Sequence, residues 1–401
     1  MRLETSPELE IYRHEVRAFI AKNSPGVKRH TGVRAPESDL MPAIRSWIAA
    51  LFESGYLGQA WPVEYGGQAE PDPEQAFIVA DELARARTWE QVGAGALGSS
   101  AIIEFGTDEQ KQYFLPRIRS GEDLWCQLFS EPGAGSDLAS LKTRARLEGD
   151  EYVVDGQKVW TTNGQHADVG YLLARTDSDA SKHRGITAFA LDMRTPGVDV
   201  RPLREITGTS DFNEVFLDAV RIPADRVIGG TNDGWRVANS SLGHERSGVA
   251  ARGAELFAQL DDLLGVAEGS TFASRPALED GGVRQRIGRL ATEIHVIDLM
   301  SKVVQSRMVH GTEDPADAPL VKVLYSEVNL AAAELGVSLQ GVGGLAIEGD
   351  ENAVADGWWQ DAFMYARAYT IAGGANEVLR TIVAERSFGL PREPRWDPAA
   401  R

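Results

Sequence analysis

Cysteine, paired histidines and long apolar runs are all scarce in this chain of 401 residues. Its only cysteine, Cys126, has no partner for an intrachain disulfide or a cysteine-based zinc site. No two of the seven histidines have the H-x-x-x-H spacing of a metal-binding helix. No apolar run approaches the roughly 18 residues of a membrane span, and MRLETSPELE lacks the basic start and apolar core of a signal peptide. These absences predict a cytoplasmic protein without metal or membrane insertion, whose chemistry would need an organic cofactor.

Basic residues are also in deficit. The 41 Lys and Arg are outnumbered by 59 Asp and Glu, which gives a formal net charge of −18. A field of that sign repels the phosphates of nucleic acids and of anionic membranes. Nucleic acid and anionic lipid surfaces are therefore excluded as expected partners.

The period of the apolar residues changes twice along the chain. Three- and four-residue steps predict helices over residues 38–54, 72–87 and 99–119, the last with Asp108 as its N-cap. A period of two follows up to about residue 228, and the helical period then returns in long runs as far as residue 389. Two breaks interrupt those runs, at residues 269–282 and 341–352.

The strands predicted from the period of two follow at intervals of about ten residues, as in a compact barrel or sandwich. They cover residues 169–175, 186–192, 198–203 and 213–220, preceded by a strand, turn and strand over residues 152–160. Helices, then strands, then helices predict an α+β fold with segregated layers. We expect an N-terminal helical domain (residues 1–123), a central antiparallel β domain (124–229) and a C-terminal four-helix bundle (230–401).

A formal G-x-G-x-x-G occurs at residues 93–98. The residues before it do not form a hydrophobic strand, and no βαβ unit surrounds it, so the context of a dinucleotide fingerprint is missing. Small residues here predict either close helix packing or room for a ligand.

Two segments carry a stronger signal for a cofactor. The first is QLFSEPGAGSD (residues 127–137), and GQKVWTTNG (156–164) follows about 20 residues later. Glycines let backbone N–H groups approach an anionic or polar cofactor, and Ser130, Ser136 and Thr162 supply hydroxyls. Trp160 offers a flat face to a ring. Taken alone, however, the same letters also suit a glycine-rich turn and an exposed hairpin.

With these two segments, the chain resembles the FAD-dependent acyl-CoA dehydrogenase family nearly from end to end. Further motifs match the family in its own order: LGQAWPVEYGG (57–67), FGTDEQK (105–111), LPRIRSG (115–121), VRIP (220–223), GW (234–235), LGHER (242–246), QGVGG (340–344) and RAYTIAGGANEVLR (367–380). The resemblance implies the three-domain fold expected above and removal of hydrogen from Cα and Cβ of an acyl-CoA thioester to give trans-2-enoyl-CoA.

The resemblance also assigns roles to matched positions. Contacts to FAD are implied for Gln127, Phe129, Ser130, Ser136, Trp160, Thr161, Thr162, Gln340, Gly341, Gly344, Ala375, Asn376 and Glu377. Thr162 would lie near flavin N5, and the 340–344 loop would serve the FAD of a neighbouring subunit. Contacts to the substrate are implied for Ser136, Arg246 and Gly374.

The chain departs from the family's commonest pattern at the catalytic carboxylate. Many members have it directly before the glycine of the C-terminal motif, where this chain has Gly373. Other members carry the glutamate on the first bundle helix, just before an arginine, and Glu245 occupies that place. We therefore expect Glu245 to be the base, although a helix-end carboxylate on the surface is the simpler interpretation of that residue alone. The Gly373 N–H is expected to polarise the thioester carbonyl.

A second departure lies in the linker at residues 270–286, which lacks the family's Arg and Phe-Gly. Arg284 or Arg275 is expected to replace that contact with FAD. Related bacterial members with such a linker include some built from two different chains.

Three interpretations of function follow. The first is an acyl-CoA dehydrogenase of lipid breakdown that passes electrons to an electron-transfer flavoprotein or a similar acceptor, as a homotetramer or as a heterotetramer with a related chain. The second is a subunit of a hetero-oligomeric dehydrogenase that shapes the active site of another chain. The third is a flavin monooxygenase on the same fold, which would need no α-proton base.

Overall fold

Five helices form the N-terminal part of the chain. The computed structural model describes residues 6–27, 29–30, 32–34, 36–247 and 252–392, with only the backbone described at 244–247 and 252. The helices are α1 (Pro7–Asn23), α2 (Met41–Glu53), α3 (Pro73–Arg85), α4 (Gly95–Phe105) and α5 (Asp108–Arg119).

The single helix expected over residues 99–119 is two helices, α4 and α5, which meet at Gly106. The expected N-cap, Asp108, is also wrong by one residue. Thr107 is the cap: its hydroxyl accepts from the Gln110 N–H at 3.3 Å, and the Gln110 side chain accepts from the Thr107 N–H at 3.2 Å. This reciprocal pair is a capping box, which favours Thr107 over a carboxylate one residue later.

The central domain is one eight-stranded sheet. Its strands are β1 (Trp125–Leu128), β2 (Arg144–Glu148), β3 (Glu151–Thr162), β4 (Val169–Arg175), β5 (Ile186–Asp192), β6 (Val198–Leu203), β7 (Phe212–Pro223) and β8 (Val227–Ile228). The order is β6-β7-β3-β2-β4-β5-β8, with β1 on β4. Most pairs are antiparallel as expected, but β1 and β2 pair with β4 in parallel, so the sheet is mixed.

The strand, turn and strand expected over residues 152–160 is one continuous strand, β3. Asp155-Gly156 resembles a turn in sequence, yet the register of β3 against β7 only shifts between Val154 and Gly156. A Cβ on Gly156 would lie 2.4 Å from Oγ1 of Thr143. Glycine is therefore required here by the close approach of Thr143 rather than by a turn.

The C-terminal part is helical again. Its elements are α6 (Gly234–Ser247), α7 (Arg252–Gly269), a hairpin of β9 (Thr271–Phe272) and β10 (Arg275–Pro276), α8 (Gly281–His310), α9 (Asp317–Leu339), α10 (Trp358–Tyr369) and α11 (Asn376–Ile382). Helices α7, α8, α9 and α10 share one core. The predicted α+β order is confirmed, while the exact boundaries at residues 124 and 230 remain predictions.

Glycines at 93 and 98 allow close packing. A Cβ on Gly98 would lie 2.3 Å from the Trp125 ring, and one on Gly93 would lie 2.2 Å from the Trp125 carbonyl oxygen. Of the two interpretations of this G-x-G-x-x-G segment, close packing therefore accounts for both glycines. Within the described ranges, no helix is long and apolar enough to cross a membrane.

Candidate active site

The segment after β1 and the end of β3 lie side by side. The Val159 N–H donates to the Ser130 carbonyl at 2.9 Å, which brings Ser130 next to Trp160. Phe129 is buried, Ser130 is half-buried, and Ser136 is exposed at the far side of the turn. The structure thus brings together the two segments that the sequence singled out about 20 residues apart.

A buried ion pair holds this junction. Nζ of Lys158, which is fully buried, donates to the Glu131 carboxylate at 2.8 Å and to the Phe129 carbonyl at 3.1 Å. The same carboxylate accepts from the N–H groups of Lys142 (2.6 Å) and Thr143 (2.9 Å). Burial lowers the pKa of Lys158 to about 8, although Glu131 counteracts it. Three segments of the chain, at residues 129–131, 142–143 and 158, are therefore fixed around one carboxylate.

Trp160 is turned out of the sheet. It has a left-handed backbone, with φ of 59°, and its side chain is 60% exposed. The register of β3 against β7 shifts between Lys158 and Thr161, which places this strained residue at a bulge. Thr161 points inward and is fully buried, while Thr162 is half-buried. An exposed indole, in a segment that also carries the half-buried Thr162 and is bonded to the turn of Ser130, suits a flat, hydrogen-bonding ring such as a flavin.

A basic loop beyond the residues predicted from the sequence lies beside Ser136. Lys182 forms an ion pair with Asp137, and the His183 ring packs at 4.9 Å on Trp235. Arg175 anchors the loop by donating to the carbonyls of Ala139 (2.8 Å) and Lys182 (3.2 Å). The signal in the sequence was the run Lys-His-Arg at residues 182–184 in an acidic chain.

The first half of α6 lies beside the end of α4. Ser240 donates to Glu104, and the Arg236 guanidinium lies 4.5 Å from the centre of the Phe105 ring. One turn further along α6 is Glu245, whose backbone is helical. The side chains of Glu245 and Arg246 lie outside the described residues, so the expected base and substrate contact remain predictions.

The turn between α10 and α11 has three consecutive exposed or half-exposed peptides. Gly373 and Gly374 have φ values of 65° and 95°, and neither residue nor Ala375 donates a backbone hydrogen bond within the described part of the chain. A series of free N–H groups in a left-handed turn suits a carbonyl or an anion. Glu377 is exposed on α11, whereas Asn376 is buried and bonds to α9.

Residues 32–34 connect the β domain with α10. The Val33 carbonyl accepts from the Asn163 side chain at 3.2 Å, and the Gly32 N–H donates to the Tyr369 hydroxyl at 3.1 Å. Arg34 bonds to Asp361 at 2.7 Å. The Trp160–Thr162 segment and the start of the Gly373 turn therefore lie on either side of this short connection.

The remaining predicted contacts lie elsewhere on the bundle. Gln340 caps α9 through a bond from its side chain to the Gly336 carbonyl at 3.0 Å, and Gly341 and Gly344 follow it in a short helical turn. Arg284 is exposed at the start of α8, and Arg275 is exposed in β10. Within the described ranges, no hydrogen bond joins either group to the Ser130–Trp160 region.

The chain is similar to known proteins along almost its whole length. The N-terminal, middle and C-terminal domain profiles of acyl-CoA dehydrogenase match residues 6–122, 126–220 and 232–388. Acyl-CoA dehydrogenase IpdE1 of Mycobacterium tuberculosis is 36% identical over 97% of this chain and 99% of the relative. Acyl-CoA dehydrogenase FadE34 of the same organism is 39% identical over 94% of this chain, which spans only 52% of that relative.

A solved structure, the Tcur3481-Tcur3483 steroid ACAD, has a TM-score of 0.86 and 30% identity to this chain, covering 98% of it and 100% of the solved chain. The resemblance inferred from the motifs is confirmed, and so is the expectation of an enzyme that uses FAD. The chain belongs to the acyl-CoA dehydrogenase family of FAD-dependent oxidoreductases.

Proposed function

We propose that this protein removes the α-proton and the β-hydride of an acyl-CoA thioester to give a trans-2-enoyl-CoA. The observation that carries the proposal is the exposed Trp160 at its bulge, in a strand segment that the Val159–Ser130 backbone hydrogen bond joins to the turn of Ser130. These groups fit a flavin, which when bound supplies the acceptor for the hydride. Gln127, Phe129, Ser136, Thr161, Ala375 and Glu377 would complete the cofactor contacts, with Arg284, Gln340, Gly341 and Gly344 serving FAD across a subunit boundary.

Glu245 is the proposed base. The thioester α-proton is weakly acidic, so it has to be taken by a positioned group as the hydride leaves. Gly373 has no side chain to do this, and Asp361 already bonds to Arg34. Glu245 lies on α6, beyond the stretch in which Arg236 and Ser240 contact the end of α4.

The thioester carbonyl would be polarised by the Gly373 N–H. Negative charge develops on that oxygen as the proton leaves, and a fixed donor stabilises it. Gly374 would contact the same part of the substrate. For the CoA portion, Ser136 and Arg246 are proposed contacts, and Lys182 and Arg184 offer positive charge to its phosphates.

A bulky acyl group, such as a steroid acyl chain, is the proposed substrate class. The support is the name of the similar steroid ACAD, together with a base on the bundle helix, which is compatible with branched or bulky acyl groups. That structure is named for two proteins, which supports assembly of this chain with a related one; a homotetramer is the alternative. An electron-transfer flavoprotein is the proposed acceptor, and the cytoplasm the proposed location.

The test is an anaerobic titration of the purified protein with straight, branched and steroid acyl-CoA thioesters, followed by the bleaching of flavin absorbance. Bleaching by bulky thioesters at low micromolar concentration is expected. A protein that binds FAD but is bleached by none of them would contradict the proposal. A colourless protein that takes up FAD only after co-expression with a related chain would favour the two-chain assembly.

A further inference from the structure

Lys322 is a charged side chain that no part of the proposed reaction uses. It lies on the second turn of α9, is half-buried, and its Nζ reaches the turn between α10 and α11. There it donates to the Gly374 carbonyl at 2.6 Å and to Oδ1 of Asn376 at 3.0 Å. One ammonium thus joins α9 to both ends of the Gly374–Asn376 segment.

A second contact from α9 reinforces the first. Ser326, one helical turn after Lys322, is fully buried, and its hydroxyl accepts from the Asn376 side chain at 2.9 Å. The Asn376 N–H closes the turn by donating to the Thr370 carbonyl at 3.0 Å. Asn376 is therefore held on three sides, and Lys322 extends that hold to the preceding peptide.

Packing does little to hold the turn itself. Ile371 is 69% exposed, and a Cβ on Gly373 would meet no described atom within 4 Å. Gly373 and Gly374 both have a left-handed backbone conformation, which glycine adopts as readily as its other conformations. The orientation of the turn therefore depends on its polar contacts with α9.

The hydrogen bond from Lys322 to the Gly374 carbonyl also fixes the direction of the following N–H group, that of Ala375. The peptide unit is planar and trans, so the Gly374 carbonyl and the Ala375 N–H point in opposite directions. Because the carbonyl points to Lys322 on α9, the Ala375 N–H points away from α9, and it donates no hydrogen bond within the described ranges.

We propose that Lys322 is a positioning residue, which holds the Gly374 carbonyl on α9 and thereby presents the Ala375 and Gly373 N–H groups to cofactor and substrate. This inference rests on the proposed function, in which those N–H groups contact FAD and the thioester. Burial lowers the pKa of Lys322 to about 8, and Glu377 opposes that shift. The side chain is therefore still a charged donor at neutral pH, where its hydrogen bonds are strongest.

Lys322→Met keeps the length of the side chain and removes the donor, whereas Lys322→Arg keeps a charged donor. Glu327→Gln is the matched control, because Glu327 forms an exposed ion pair with Arg380 and so joins the same two helices without touching the turn. Two quantities are compared: the dissociation constant of FAD after removal and re-addition, and the exchange rate of the Asn376 amide hydrogen in the cofactor-free protein.

Lys322→Met is expected to weaken FAD binding about tenfold, the usual effect of one hydrogen bond to a charged group, and to speed Asn376 exchange. Lys322→Arg should recover most of the affinity, and Glu327→Gln should match the native protein in both quantities. Native affinity and native exchange in Lys322→Met would overturn the inference. Failure of the native protein to take up FAD would instead contradict the proposed function, while the exchange rates would still decide whether Lys322 holds the turn.

Discussion

The Lys158 ammonium lies 2.8 Å from the Glu131 carboxylate in the interior of the β domain, with Lys158 fully buried and Glu131 8% exposed. The carboxylate also receives two backbone N–H groups, and the ammonium also donates to the Phe129 carbonyl. The pair thus joins the strand that carries Trp160 to the turn that carries Ser130. The shape of the proposed flavin site depends on this contact.

Lys158→Met should be strongly destabilising. It removes one partner of a buried pair and leaves the Glu131 charge uncompensated, which costs about 3–5 kcal/mol. Urea unfolding measures the loss. The matched control is Lys182→Met, which breaks an exposed pair with Asp137 and should cost at most about 1 kcal/mol. Equal losses of unfolding free energy in the two variants would contradict the claim that the buried pair stabilises the protein more than the exposed pair does.

Gly156→Ala should also destabilise the β domain. The new methyl group would lie 2.4 Å from Oγ1 of Thr143, so the strand or Thr143 has to move, at a cost of about 1–3 kcal/mol. Gly133→Ala is the control, because no described atom lies within 4 Å of its Cβ position. Thermal unfolding compares the two, and a Gly156→Ala protein as stable as the native one would contradict the account that the close approach of Thr143 requires glycine here.

Asp81 should give stability a pH dependence between about 4 and 6. Burial raises the pKa of Asp81 to about 6, against the opposing charges of Arg13 and Arg85. The native state then holds this proton more tightly than the unfolded state does. The stability that this bound proton gives to the native state is fully present below the ordinary pKa of about 4, and it is lost as the pH rises through 6.

Asp81→Asn removes that titration. The difference in unfolding free energy between native protein and variant should therefore fall by on the order of 2 kcal/mol from pH 4 to pH 6.5. Urea unfolding at several pH values measures it. A difference that is constant over this range would show that Asp81 titrates normally.

The sequence predicted strands best where they stand between clear turn signals. The bounds expected for β4, β5 and β6 agree with the structure: β4 and β5 are runs of buried residues, and β6 alternates apolar and polar residues at its start. The expectation of a turn at Asp155-Gly156 was wrong, since the reason for this glycine is the close approach of Thr143, the residue before β2. Local sequence does not contain that contact.

The candidate site could likewise be predicted only in part. Ser130, Trp160 and Thr162 belong to motifs that can be recognised in the sequence, and the structure brings their segments together. The contacts that hold those segments are long-range: Lys158 with Glu131, and Lys322 with Gly374. Neither pair follows from spacing, because each depends on the packing of two elements that are distant in the chain.

The central claim is that Glu245 takes the α-proton. Glu245→Gln keeps the size and hydrogen bonding of the side chain but cannot accept a proton. The most direct measurement is the rate of flavin reduction by a saturating acyl-CoA thioester, in anaerobic stopped flow, with Glu327→Gln as the matched control. FAD and thioester should still bind to Glu245→Gln, while reduction slows by about 10²–10⁴-fold, the usual contribution of a positioned base. Reduction at the native rate would contradict the claim and make Glu377 the next carboxylate to test.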